Sequence, residues 1–371
     1  MLKQQQPWEH LFNDQTTSML PHTAFFDALA ALPDAETPEW QALSAGLVIL
    51  RMIDDWLDGD AQLFSHDSPE LLAIRSIIKA LPRKQPIKQI LGNITFAIEQ
   101  SSASSIVTVA PGLLSYAQEL DRSANYSLAE NVLLNIRRRA QQIDAKDILS
   151  ECGLKLAKNY RLARQFSTAQ EFYAEAVHYA DQEGDIAKKI RAQCGLTKLY
   201  QSTGDTEQAF ETIYQAQNMA KQLDHPQYTR MVLHDLAYIH VRNRAFARGL
   251  ELLQQAIKLP GLDQEQLQCD LADVLLDIGD IALGAEISCF LVVTAKDRRT
   301  RWLASLCLMF AAACNRQLEE FQWYLDALGS LAVSKAFQFD YYWVAAQSYG
   351  LLGDSEMERT FYQKAYALDN E

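Results

Sequence analysis

The residues best suited to chemistry are an acidic run, Asp54-Asp55-Trp56-Leu57-Asp58. Carboxylates one turn apart share a helix face and can bridge a hard cation such as magnesium, which would in turn hold a diphosphate. No second acidic metal motif stands on a matching helix elsewhere, so the run reads better as a solvated helix terminus than as a metal site. Acidic groups at a helix C-terminus oppose the macrodipole, which makes an interaction surface the other reading of the run. The six cysteines form no C-x-x-C pair and have no His at ligand spacing; inside apolar helical patterns they behave as small hydrophobes. His234 and His240 are six apart, a spacing that does not bring two imidazoles to one helix face as i,i+4 would. Signatures of phosphate-binding loops, nucleophile elbows, zinc hydrolases and kinases are missing, so no catalytic residue, metal or cofactor is assigned and the chain reads as non-enzymatic.

The elements that must position any site come from an internal repeat. LAKNYRLARQFSTAQEFYAEAV, LTKLYQSTGDTEQAFETIYQAQ and LAYIHVRNRAFARGLELLQQAI align without gaps. Each has a small residue (Ala157, Thr197, Ala237), an aromatic or His three later (Tyr160, Tyr200, His240), a small residue nine after that (Ala169, Ala209, Gly249), and Ala seven further on (Ala176, Ala216, Ala256). The copies recur every 40 residues. The register extends upstream to Ala117, Leu120, Ala129 and Ile136, and downstream to Ala272, Leu275, Gly284 and Leu291. Two weaker copies follow, one at Cys307 and Phe310 with Glu319 at the small position, one at Ala346, Tyr349 and Ala365 with Glu358 there. Small side chains at fixed spacing let two helices approach closely, and Gly204-Asp205, Gly279-Asp280 and Gly353-Asp354 supply a positive-φ stop followed by a cap for the next helix. One pair cannot cover its own apolar faces, so stacked neighbours provide the core.

These positions resemble the tetratricopeptide repeat family over about 110–371, with a period longer than the usual ~34 residues that lengthened helices absorb. The resemblance implies an all-α, right-handed superhelical solenoid of about seven helix pairs over 106–371, preceded by a helical region over 1–105. In that first region the apolar spacing and prolines predict helices at about 22–32, 39–58, 69–81 and 86–100, serving as a cap or a small separate domain.

Carried over residue by residue, the family's concave surface falls on Lys155, Lys158 and Arg161, then Arg191, Lys198 and Gln201, then His234, Tyr238 and Arg242. Lys and Arg in such a groove bind carboxylates of a protein or peptide segment, while the strip's continuation into Asp270, Asp273 and Asp277 suits a bipolar ligand as well as an acidic one. The paired Asn residues of chaperone-binding family members are missing. A formal charge of −13 argues against nucleic acid as partner, and the lack of a secretory or membrane-spanning segment points to the cytoplasm. The expected role is a scaffold or adaptor, with a peptide-sensing regulatory module as alternative and an enzyme of the isoprenoid-synthase type, using the acidic run, as third. Self-association is open on this reading.

Overall fold

The structure, a computed structural model, describes residues 38–59, 69–82, 86–101, 104–123, 125–261, 264–332 and 335–368. The helix expected at 22–32 lies outside them. The described residues form helices and connecting turns with no strand. In order these are α1 (Pro38–Leu57), α2 (Pro69–Ala80), α3 (Pro86–Glu99), α4 (Ile106–Arg122), α5 (Tyr126–Gln142) and α6 (Lys146–Leu162). There follow α7 (Phe166–Glu183), α8 (Ile186–Thr203), α9 (Thr206–Leu223), α10 (Pro226–Arg242), α11 (Phe246–Ile257) and α12 (Gln264–Asp277). The last are α13 (Ile281–Thr294), α14 (Arg298–Cys314), α15 (Leu318–Leu331), α16 (Lys335–Leu352) and α17 (Ser355–Ala367). Two compact units divide the chain, one ending at Cys152 and the other beginning at Gly153, within α6.

In the first unit, α1 to α3 pack on one another and α3 on α4, which pairs with α5. The helix expected at 39–58 is α1, and it is largely buried: Val48, Ile49, Met52 and Ile53 are all inside. It ends at Gly59, whose φ of 110° is open to glycine alone at little cost.

The second unit is the solenoid. Each repeat consists of an A helix (α6, α8, α10, α12, α14, α16) and a B helix (α7, α9, α11, α13, α15, α17), and the same A/B pattern begins in the first unit with α4 and α5. Ala117, Ala157, Thr197, Ala237, Ala272 and Ala346 are buried on A helices, and Ala129, Ala169, Ala209, Gly249 and Gly284 are buried on B helices, as a template of close approach requires. One turn joins A to B throughout: the amide that follows the turn's left-handed residue donates back to the carbonyl five residues earlier, as in Gln165 to Tyr160 (2.8 Å), Asp205 to Tyr200 (2.9 Å), Ala245 to His240 (2.8 Å) and Asp280 to Leu275 (2.8 Å). Its left-handed residue is glycine at Gly204, Gly279 and Gly353 but arginine at Arg164, Arg244 and Arg316. After the glycines, Asp205, Asp280 and Asp354 cap the next helix with their carboxylates, the sequence signal in physical form.

The sixth pair corrects the register read from sequence. Its left-handed residue is Arg316, and Gln317 N–H reaches Ala312 O at 2.9 Å, so the pair runs from Met309 and not from Cys307. Phe321, not Glu319, then takes the small position, opposite Ala313. The last pair makes the same exchange of sizes. At the A/B crossing Val241 sits over Gly249, where a Cβ would come within 2.5 Å of Val241 Cγ2; in the last pair the glycine is on the A helix, and Gly350 makes room for Glu358 (3.0 Å to Cδ). What reads in sequence as loss of fidelity is a swap of large and small across one crossing.

Candidate functional site

Three pairs of neighbouring A helices come close, α8 with α10, α12 with α14 and α14 with α16, whereas no two neighbouring B helices do so to the same extent; the A side of the second unit is therefore its concave side. Contacts across that concavity bring distant repeats together. The Arg164 guanidinium, in the α6–α7 turn, lies 3.9 Å from the ring centroid of Phe339 on α16, a cation–π contact between the unit's first and last repeats. Asp340 beside Phe339 acts electrostatically on both Arg164 and Tyr238.

The residues expected in the groove all fall in this unit. Lys155 and Arg191 are half-buried, and Lys158, Tyr238 and Arg242 are exposed. Lys198 holds Asp235, which is 1% exposed, in an ion pair of 3.0 Å; burial lowers the ammonium's affinity for its proton, and the Asp235 carboxylate more than restores it. His234 pairs through Nε2 with Asp270, so that despite burial its imidazole is held above its ordinary value. Gln266 donates to the other Asp270 oxygen at 2.8 Å. The strip is thus half internal framework: Lys198 and His234 link α8, α10 and α12 through Asp235 and Asp270. Arg161 stands at the repeat position of Val241, the A/B crossing; its Nε is buried without a hydrogen-bond partner, and its charge acts on Lys198.

The acidic continuation of the strip is prominent in the structure. Asp270, Asp273 and Asp277 follow one another at i, i+3 and i+7 on α12. Asp273 is raised to about 7, by burial and by the charges of Asp277 and Asp270. Its carboxyl is nevertheless open to solvent. Exposure and strong desolvation coexist only where a group faces a concavity with protein on several sides. Among the described residues no cation comes within ion-pair distance of Asp273 or Asp277, although Arg244 draws the burial-raised Asp277 back down. Asp340, also raised by burial, is held at 3.0 Å by Arg299, with Arg164 assisting.

The acidic run of the first unit proves to be something else. Asp54 is 3% exposed, so the expected solvated terminus is wrong for it. It accepts from Asn135 Nδ2 (3.1 Å) and Arg139 Nη2 (3.1 Å) on α5. The same guanidinium donates to both Asp58 oxygens, at 2.5 and 3.0 Å, and holds that carboxyl below the usual range. Such a two-carboxylate clamp on one arginine fastens the end of α1 to α5.

No protein-family profile matches the sequence, and no curated protein matches it. Solved structures share the fold. The Rap conjugation gene regulator of plasmid pLS20, in complex with the Phr* peptide, matches with a TM-score of 0.64 at 12% identity, over 88% of this chain and 95% of that one. A Rap protein complexed with competence and sporulation factor matches at TM-score 0.59 and 12% identity (87% and 97%), and NprR in complex with its cognate peptide NprX at 0.55 and 13% (94% and 91%). The chain is a solenoid of tetratricopeptide-like helix pairs. No helix among the described residues is long and apolar enough to cross a membrane.

Proposed function

We propose that this chain is a non-enzymatic, cytoplasmic protein-interaction module that holds an extended protein or peptide segment in the concave face of its second unit. The observation that carries this reading is the change of sign along the inner surface. Lys158 and Arg242 are exposed cations on α6 and α10, whereas Asp273 and Asp277 on α12, the A helix after that of Arg242, are exposed carboxylates facing their own kind. A ligand with an acidic and a basic end satisfies both. Lys155, Arg161, Arg191 and Tyr238 add contacts around them, while Lys198 and His234 keep the adjoining A helices in register. Residues 1–105 serve as a cap or second docking surface.

A regulatory variant of this function draws support from the three structural neighbours, each a complex with a peptide or factor and one of them a gene regulator. In that variant the ligand shifts the solenoid between two pitches, which requires different affinities for the two shapes. The third reading loses support, because Asp54 and Asp58 are already committed to Arg139.

Affinity capture from native lysate on wild type, Arg242→Glu and Asp273→Lys tests the proposal. Segments retained by wild type should be lost or weakened at least tenfold on both variants. Recovery of the same partners on all three would sink the groove reading. For the regulatory variant, hydrogen exchange around Arg164 and Phe339 should change when the captured segment is added.

A further inference from the structure

The outer surface of the solenoid is not uniform. The B helix α9 turns Glu211, Gln215, Asn218 and Lys221 to solvent, the polar outer face that a repeat protein needs. Helix α13, IALGAEISCFLVVT, has one charged residue, Glu286, exposed between Leu283 and Phe290, and is otherwise apolar around its circumference. A helix of that composition belongs in a core. Its inner side is buried through Gly284, Ser288 and Leu291, but its outer side leaves Leu283 43%, Phe290 59% and Val293 83% exposed. Trp323 of α15, 65% exposed, extends this surface, its ring packed on Tyr324, which in turn feels Cys289 of α13.

We propose that this face is the contact between two copies of the chain. Area, charge and symmetry favour that occupant. Taking roughly 150–250 Å² for a fully exposed large side chain, these four leave on the order of 500 Å² open. That is the apolar share of a standard interface, which buries ~800 Å² per partner with a core about 65% apolar. Two chains of formal charge −13 repel at most orientations, and this face, whose one charge on α13 is the exposed Glu286, sets few like charges against each other. A two-fold contact sets the same patch against itself, which the large apolar side chains of this one tolerate. A membrane surface is disfavoured, since α13 has no Lys or Arg to meet anionic lipid and its neighbour α15 begins with Glu319 and Glu320. The face lies on the B side, opposite the groove, so pairing leaves the concave surface open in both copies.

Sedimentation velocity of the full chain over a wide concentration range tests this, with wild type, Phe290→Glu and Val293→Glu compared and circular dichroism recorded for each. Wild type should shift from monomer to dimer as concentration rises, and either glutamate should move the midpoint at least tenfold upward at unchanged helicity. Wild type that stays monomeric to its solubility limit overturns the proposal, and so does a dimer that persists in both folded variants. If both variants lose helicity, unmodified wild type decides: Cys289 is exposed on α13 beside Phe290, and its alkylation, read by peptide mass spectrometry, should slow as concentration rises. A rate independent of concentration overturns the assignment.

Discussion

Two acidic clusters in this molecule look alike in sequence and differ in almost every physical respect. Asp54 and Asp58 at the end of α1 share one arginine, and the inner carboxyl is buried with an asparagine on its remaining face. Asp273 and Asp277 on α12 are exposed, have no ion-pair partner among the described residues, and sit beside Asp270. A carboxylate taken out of water with its countercharge holds structure together; one left in a concavity among its own kind raises the energy of the empty site and is relieved by a cation from outside. Partner geometry, not the density of acidic residues, separates the structural cluster from the binding candidate.

The largest test of that contrast removes the countercharge from the matched cluster. Arg139→Ala removes the closest guanidinium from the buried Asp54, leaving Asn135 and the more distant, exposed Arg138 at 3.9 Å among its partners, and removing one partner of a buried pair costs about 3–5 kcal/mol. Chemical denaturation should show that loss, and Asp54→Asn in the same background should recover part of it, because a neutral amide tolerates the site without the guanidinium. If Arg139→Ala costs less than about 1 kcal/mol, the clamp is not structural.

Next in size is the pair that borders the open cluster. Asp235 is buried, but Lys198 retains a partly exposed side chain that can return to water, so Asp235→Ala should cost about 2 kcal/mol, below the full penalty of a sealed pair. A loss as large as that from Arg139→Ala would show the groove framework to be as closed as the first unit's clamp.

How far each cluster could be read in advance follows from the range of the interactions involved. The repeat was legible because A/B packing is local: Ala157, Thr197 and Ala237 recur with their partners Ala169, Ala209 and Gly249 twelve residues on. The Gly-Asp turns were legible for the same reason. Arg164, Arg244 and Arg316 adopt the same left-handed turn with no composition signal, and this hid the two-residue shift of the sixth pair. Glu358 looked like a defect because its compensation, Gly350, stands on the preceding helix. Arg139 lies more than eighty residues from the acids it serves, and Arg164 reaches Phe339 only after the solenoid has turned. Periodicity placed Lys158, Lys198 and Tyr238 at one repeat position, but that Lys198 is half of an internal pair depends on Asp235 one repeat away.

A third test titrates the unmatched cluster. The Asp273 pKa, about 7 in the folded chain, exceeds the ordinary carboxyl value of the unfolded one. Between those values the folded state binds the extra proton, so this group makes stability fall as pH rises from about 4 to about 7, with the penalty fully present above 7. His234, also raised, adds a loss in the same direction, its contribution present below the ordinary imidazole value and fading as pH passes the raised one. Asp273→Asn should flatten the carboxyl part of the thermal-melt profile and leave the imidazole part. A cationic ligand group at Asp273 should bind more tightly as pH rises through 7, opposite in sign to the stability trend, and this opposition distinguishes a binding carboxylate from a structural one.

The smallest test concerns the cation that tempers the stripe. Arg244 draws Asp277 down electrostatically, and its own backbone is left-handed at φ 58°. Arg244→Gly therefore has two effects of different kinds. Releasing the strained conformation stabilises the turn by about 0.5–1 kcal/mol, offset in part by the greater freedom of glycine in the unfolded chain. Loss of the guanidinium lets Asp277 rise further and makes the cluster still less matched. The expected outcome is a near-neutral or slightly higher melting temperature at pH 5, where Asp273 is largely protonated and the stripe carries less charge, and a smaller gain or a net loss at pH 8. Arg316→Gly, at the equivalent turn of the sixth pair, relieves the same backbone strain and serves as the control. If the two variants show the same pH dependence, Arg244 does not act on the acidic stripe, and Asp277 is as isolated as Asp273.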